Sequence, residues 1–156
     1  MIEINCGGGF NHFYWLMDRL FLLVPIKIKC VMTIAINSTS QVSDVQREFN
    51  GLFPFLKMEL FKGKHGYREG SARQEKLPAY LYIGDLTKRL PAAIEVSESM
   101  TVQELEQLFE VELGLHLQVF RKSGTLWLET TITDNWTLKQ QNEHGMEISR
   151  SIQEMF

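Results

Sequence analysis

Apolar and polar residues alternate most regularly over Leu115–Thr131, LHLQVFRKSGTLWLETT, with the two-residue turn signal Ser123-Gly124 in the middle. The stretch reads as a β-hairpin. Pairing Lys122 with Thr125 across the turn sets Phe120 opposite Trp127, Val119 opposite Leu128, Gln118 opposite Glu129 and His116 opposite Thr131. Successive side chains point to opposite faces of a strand. One face therefore collects Leu115, Leu117, Val119, Leu126, Leu128 and Ile132 and is expected to be core. The other collects His116, Gln118, Phe120, Trp127, Glu129 and Thr131, polar but with two aromatics side by side.

The rest of the pattern supplies two strand–helix–strand units. Val31–Asn37 alternates, with Ile34 and Ile36 on one face. Val42, Val45, Phe49 and Phe53 recur at helical spacing, and Pro54 ends that helix. Phe55–Lys62 alternates again, Leu56, Met58 and Leu60 against Lys57, Glu59 and Phe61. Gly63–Pro78 is a glycine-containing basic break and reads as a loop. Ile83–Leu90 reads as a helical turn stopped by Pro91. Ala92–Ser97 is a third strand. Thr101 with Glu104 makes a capping box for a helix striped by Val102, Leu105, Phe109 and Leu113, and Gly114 stands at its C-terminal end. After the hairpin, Thr137 with Gln140 opens a short helix to about His144, with Gly145 behind it. Met146–Phe156 reads as a flexible tail.

The two units correspond without a gap along the helix: Val42, Val45, Phe49 and Phe53 against Val102, Leu105, Phe109 and Leu113. After a one-residue deletion, Leu56, Met58, Leu60 and Phe61 match Leu115, Leu117, Val119 and Phe120. Two such units joined by a loop predict an α+β fold, a ferredoxin-like split βαβ repeat. Its sheet is mostly antiparallel with helices on one face, one extra hairpin strand and a short C-terminal helix. The single α+β domain is placed at residues 32–145.

The first 31 residues differ. Residues 13–28 are strongly apolar, but Asp18, Arg19 and Pro25 interrupt them, and no run approaches the ~20 apolar residues a spanning helix needs. No basic region precedes them and no small-residue cleavage site follows, so a secretory signal is not read here. Residues 1–31 are taken as an extension or as a mis-assigned start, with a natural beginning at Met32. Phe13–Val24 is a candidate short apolar helix.

Composition narrows the function classes. A chain of 156 residues has room for one domain with a core, and 44% hydrophobic with 22% charged residues is ordinary for a globular protein. A net charge of −3 opposes wholesale attraction to nucleic acid or anionic lipid. The two cysteines, Cys6 and Cys30, are too few for a disulfide framework and too isolated for zinc, so a cytoplasmic location is expected. No cofactor or metal is expected. Gly7-Gly8-Gly9 lacks the lysine and hydroxyl residue of a phosphate-binding loop.

Candidate chemistry gathers on the open sheet face: Phe61, His116, Gln118, Phe120, Trp127 and Glu129, beside Lys57, Glu59 and Glu95. Three aromatics on such a face call for a cover. The favoured reading is a non-catalytic module that self-associates as a homodimer or binds a protein partner, with no membrane contact. One alternative is single-stranded nucleic acid stacked on Phe120 and Trp127, with Arg121, Lys122, Lys64, Arg68 and Arg73 on phosphates. Glutamates on the same face and the lack of an RNP1-like run oppose it. Another is a small enzyme using His116 and Glu129 as an acid–base pair. The segment from Glu129 to Trp136, dense in hydroxyls and carboxylates, is read as turn and cap chemistry rather than a ligand rim.

Overall fold

The computed structural model describes residues 31–62 and 75–154. The strands are β1 (Val31–Ala35), β2 (Leu56–Lys62), β3 (Glu75–Lys76), β4 (Ala93–Ser97), β5 (His116–Ser123) and β6 (Leu126–Glu129). The helices are α1 (Val42–Leu52), α2 (Ile83–Leu86), α3 (Val102–Leu113) and α4 (Leu138–Glu154), with a 3-10 turn at Thr131–Thr133. The fold is α+β.

The helices form where stripe and cap coincide. Val42, Val45 and Phe49 of α1 and Val102, Leu105, Phe109 and Leu113 of α3 are all buried. At the start of α3 the Thr101 hydroxyl accepts from the Glu104 N–H at 3.2 Å, and the Glu104 carboxylate accepts from the Thr101 N–H at 2.8 Å. Gly114 closes it at φ 68, a left-handed conformation that glycine adopts without a Cβ clash.

The sheets depart from the expected arrangement. Among the described residues β1 pairs antiparallel with β4 alone, and β3-β2-β5-β6 form a separate antiparallel sheet. The ferredoxin-like detail is therefore not confirmed, since it requires one sheet containing all four strands of the two units. Alternation dictates which side of a strand is buried; it does not choose the neighbour. Both sheets still feed one core. Ile34, Ile94 and Val96 join Leu56, Met58, Leu60, Leu117 and Val119 around Phe49 and Phe109.

The hairpin register also differs, by two residues. Ser123 pairs with Leu126, Lys122 with Trp127, Arg121 with Leu128 and Phe120 with Glu129. The loop is Gly124-Thr125, because Gly124 holds φ 62 and a glycine in that region suits the first position of a two-residue turn. An even shift keeps every side chain on its expected face. It does not keep Leu126, Leu128 and Ile132 in the core, where the sequence placed them. They are 65%, 44% and 97% exposed. The helices that cover this side pack on β2 and β5, and β6 lies outside them.

α4 overturns the expected tail. It runs through Gly145 to Glu154. Gly145 is an interior residue facing the sheet: a Cβ there would stand 3.0 Å from the Phe55 Cβ and 3.1 Å from the Arg121 Cγ. The buried positions Leu138, Gln141, Gly145 and Ser149 make one helix face, and most of them are not apolar. Gln141 accepts from the Arg121 guanidinium at 2.7 Å, Asn142 from the Phe55 N–H at 2.9 Å, and Ser149 from the Gly124 N–H at 3.3 Å.

The expected domain start at Met32 falls one residue inside β1, which begins at Val31. The readings of Cys6, Gly7 to Gly9, Phe13–Val24 and most of the basic loop lie outside the described residues. Lys76 of that loop lies in β3, and Leu77 is buried against the core.

Candidate protein-interaction face

The register of the four-stranded sheet puts all six candidate residues on one face. Phe61 on β2 pairs with His116 on β5, Lys57 pairs with Phe120, and Phe120 pairs in turn with Glu129 on β6. Gln118 pairs with Glu59, and Trp127 with Lys122. Glu95 is not among them. It lies on β4, opposite Thr33, in the other sheet.

The face has two ends. At one, Lys57 is the organising residue: its Nζ lies 5.0 Å from the centre of the Phe120 ring and 5.3 Å from that of Trp127. Phe120 and Trp127, offset by the register shift, thus flank one ammonium instead of facing each other directly. At this range a cation is attracted to the negative faces of both rings. At the other end, Phe61 pairs with Lys76 of β3 on one side and with His116 on the other, and the His116 Nδ1 is 3.9 Å from the Glu110 carboxylate.

Between the ends lies Glu59, buried despite its charge. Its carboxylate accepts from the Gln46 amide at 2.8 Å and stands 3.2 Å from Lys57 and 2.8 Å from Lys76. Buried charges persist when partners replace the lost water, and three do so here. Across the ladder, the Gln118 amide donates to the Glu106 carboxylate at 3.3 Å. Glu106 also accepts from the Val119 N–H at 3.3 Å. Burial pushes the Glu106 carboxyl up to about 7, with the Val119 hydrogen bond opposing the shift and the nearby Asp134 adding to it.

These helix residues also cover the sheet's backbone. Gln46 donates to the Met58 carbonyl at 3.0 Å, Asn50 to the Leu56 carbonyl at 2.8 Å, and the Leu77 N–H to the Leu60 carbonyl at 2.8 Å. Gln46 and Glu106 were missed by sequence reasoning. The one available sign is their position, each directly after a buried stripe residue, Val45 or Leu105.

The acid–base pair of the enzyme reading does not form. Glu129 is opposite Phe120, and His116 is four residues further along β5, about 13 Å away at strand rise. Within the Glu129–Trp136 segment Thr133 Oγ1 donates to the Thr130 carbonyl at 3.3 Å, and longer-range bonds tie the segment down: Thr130 Oγ1 donates to the Val119 carbonyl at 2.9 Å, and the Gln141 amide donates to the Thr133 carbonyl at 2.7 Å. Among the described residues no group of three or more metal-ligating side chains could hold an ion, and no helix is long and apolar enough to cross a membrane. Among the described residues the clefts beside the sheets include one of about 390 Å³ beside β4 against Met100 and Leu108, one of about 460 Å³ beside Phe61, Tyr80 and Leu86, and one of about 540 Å³ lined by Lys88, Arg89, Glu110 and His116. The last gathers charged side chains around His116, but Glu129, the other member of the expected acid–base pair, does not line it.

Comparison with known proteins gives no match: no family model, no curated protein and no solved structure matches this chain.

Proposed function

We propose that the chain is a non-catalytic protein-interaction module, and that it makes contact through the β5–β6 end of the four-stranded sheet. The observation that carries this reading is β6 itself. It is an edge strand with Leu126 and Leu128 exposed on one side, Trp127 half-buried on the other, and Ile132 almost wholly exposed just beyond. Edge strands are normally blunted by shortness, charge, proline, a bulge or a covering element, because their free backbone groups recruit other strands. β6 is only four residues long and carries one charge, Glu129 at its end, but it has neither lysine nor proline and its pairing with β5 runs without a bulge. A contiguous exposed apolar group of this kind marks a contact site.

The repeat expected from the sequence belongs to the same reading. Corresponding residues make corresponding bonds: the Val42 N–H donates to Leu81 and the Val102 N–H to Trp136, and the Ile83 N–H donates to Ser40 and the Leu138 N–H to Met100. On this reading two related units build the scaffold, and the β5–β6 extension of the second unit carries the contact. Base stacking on Phe120 and Trp127 is less well supported, since Lys57 already occupies the space over both rings.

The reading is tested by placing a photo-reactive amino acid at Trp127 of the full chain in cells, with exposed Lys139 as control. A protein adduct, to itself or to another chain, is expected from position 127 alone. Equal yields at the two positions would remove the reading.

A further inference from the structure

We infer that the partner at β6 is a second copy of this chain, joined edge to edge in an antiparallel two-fold register centred on Leu128. This rests on the interaction reading above and names its occupant.

On β2, Gln46, Asn50 and Leu77 take the outward carbonyls of Met58, Leu56 and Leu60. On β5, Glu106 takes the Val119 N–H, and Thr130 takes the Val119 carbonyl. The bond from the Thr130 N–H to Val119 shows that Leu126, Leu128 and Thr130 direct their backbone groups towards β5. Trp127 and Glu129 therefore direct theirs outward, and their two N–H and two C=O groups have no partner among the described residues.

A two-fold axis normal to the sheet keeps each residue on its own face, so paired residues must have the same parity. Pairing Trp127 with Trp127 leaves Glu129 opposite the turn. Pairing Glu129 with Glu129 opposes like charges and sets Trp127 against the 3-10 turn. Pairing Trp127 with Glu129 of the second copy uses both outward residues twice and satisfies all four groups of each chain.

The side chains agree with that register. Leu128 then meets Leu128 of the second copy as a close, non-hydrogen-bonded pair on the apolar side. Leu126 of each copy comes to lie opposite Thr130 of the other, where β6 has ended. On the opposite side, Glu129 is the one charged residue of β6. It comes to lie against the Trp127 ring of the other copy. Lys122 is the cross-strand neighbour of that ring and Lys57 lies over it. Each interface half thus offers one carboxylate to an aromatic flanked by two cations. The exposed leucines and the free edge are covered by the same contact.

The experiment uses the full chain with Cys6→Ser and Cys30→Ser, which removes both native thiols. Light scattering after size exclusion should give twice the chain mass. Leu128→Cys should form an intermolecular disulfide under mild oxidation, because close antiparallel pairs hold their Cα atoms about 4.5 Å apart, within disulfide range. Leu126→Cys should not, its two copies being about 13 Å apart along the strands. Glu129→Lys should weaken the dimer about threefold, and adding Lys122→Glu should restore it. A chain of single mass up to its solubility limit overturns the inference. A dimer that cross-links at 126, or at neither position, overturns it too. In both cases an adduct at Trp127 would leave the interaction reading standing, with a different partner or register.

Discussion

Glu59 and Gln118 are direct partners across β2 and β5, and each is held by the helix of its own unit, Glu59 by Gln46 and Gln118 by Glu106. The same amide–carboxylate bond is made twice with the chemistry reversed. In the first unit the helix supplies the amide, and in the second it supplies the acid. The two carboxylates consequently meet different surroundings. Glu59 has Lys57 and Lys76 within 3.2 Å, whereas the nearby charge acting on Glu106 is that of Asp134, which raises its pKa.

Glu106 should make stability depend on pH in a definite direction. Its carboxyl is raised from 4.5 to about 7 in the folded chain, so folding favours the protonated form. That contribution is fully present below pH 4.5 and is lost as the pH rises through 7. Over this window it amounts to on the order of 3 kcal/mol. Glu106→Gln keeps an oxygen for the Val119 N–H and removes the titration. Urea unfolding from pH 4 to 8 should show the variant gaining on the parent as pH rises, with the two close at pH 4. A constant difference between them across the range would show that Glu106 does not titrate as described.

Gly145 should resist enlargement. A helix interior ordinarily gains about 1 kcal/mol when glycine becomes alanine. Here the new methyl meets the Phe55 carbonyl oxygen at 3.2 Å as well as two side-chain carbons. Gly145→Ala should therefore lose most of that gain, and Gly145→Val should destabilise by about 1–3 kcal/mol through overpacking. Thermal unfolding followed by circular dichroism measures both. A stabilised Gly145→Val would mean that α4 does not sit against β5 as closely as described.

What could be read from the sequence follows from what periodicity encodes. The stripes of α1 and α3 and the burial of Leu56, Met58 and Leu60 were legible because apolar residues recur at the helical and strand periods. The composition of the candidate face was legible for the same reason, and an even register shift leaves it intact. Apart from the β5–β6 hairpin, marked by its turn, strand partners were not, since alternation carries no information about the neighbour. The length of α4 was hidden because its inner face is Gln141, Gly145 and Ser149, which bury by hydrogen bonding and close approach. Lys57 was expected on the face, but its position over two rings depends on the two-residue shift that set Phe120 against Glu129.

The cation–aromatic cluster should be energetically coupled. Lys57 lies between two rings and also beside Glu59, so Lys57→Met removes both a ring contact and one of the partners of a buried carboxylate. Single substitution alone cannot separate these effects. In a double-mutant cycle with Trp127→Ala, the Glu59 contribution cancels and the coupling should be about 0.5–1 kcal/mol. Additive effects of the two substitutions on urea unfolding would show that the Trp127 ring does not attract Lys57.

Gly124 should fix the register that brings β6 to the edge. It holds φ 62, where an L side chain is strained by about 1–2 kcal/mol, and a Cβ would also stand 2.9 Å from the Ile152 Cδ1. The two costs are separable. The Ile152 end is flexible and can move, and Ile152→Val deletes the nearest atom. The backbone strain has no such relief. Gly124→Ala should therefore destabilise by about 1–2 kcal/mol in both the parent and the Ile152→Val background, with the smaller loss in the latter. Complete rescue by Ile152→Val would place the whole cost in packing. The Gly124-Thr125 turn would then not be what selects this pairing over the alternative, two residues away, that the Ser123-Gly124 signal suggests.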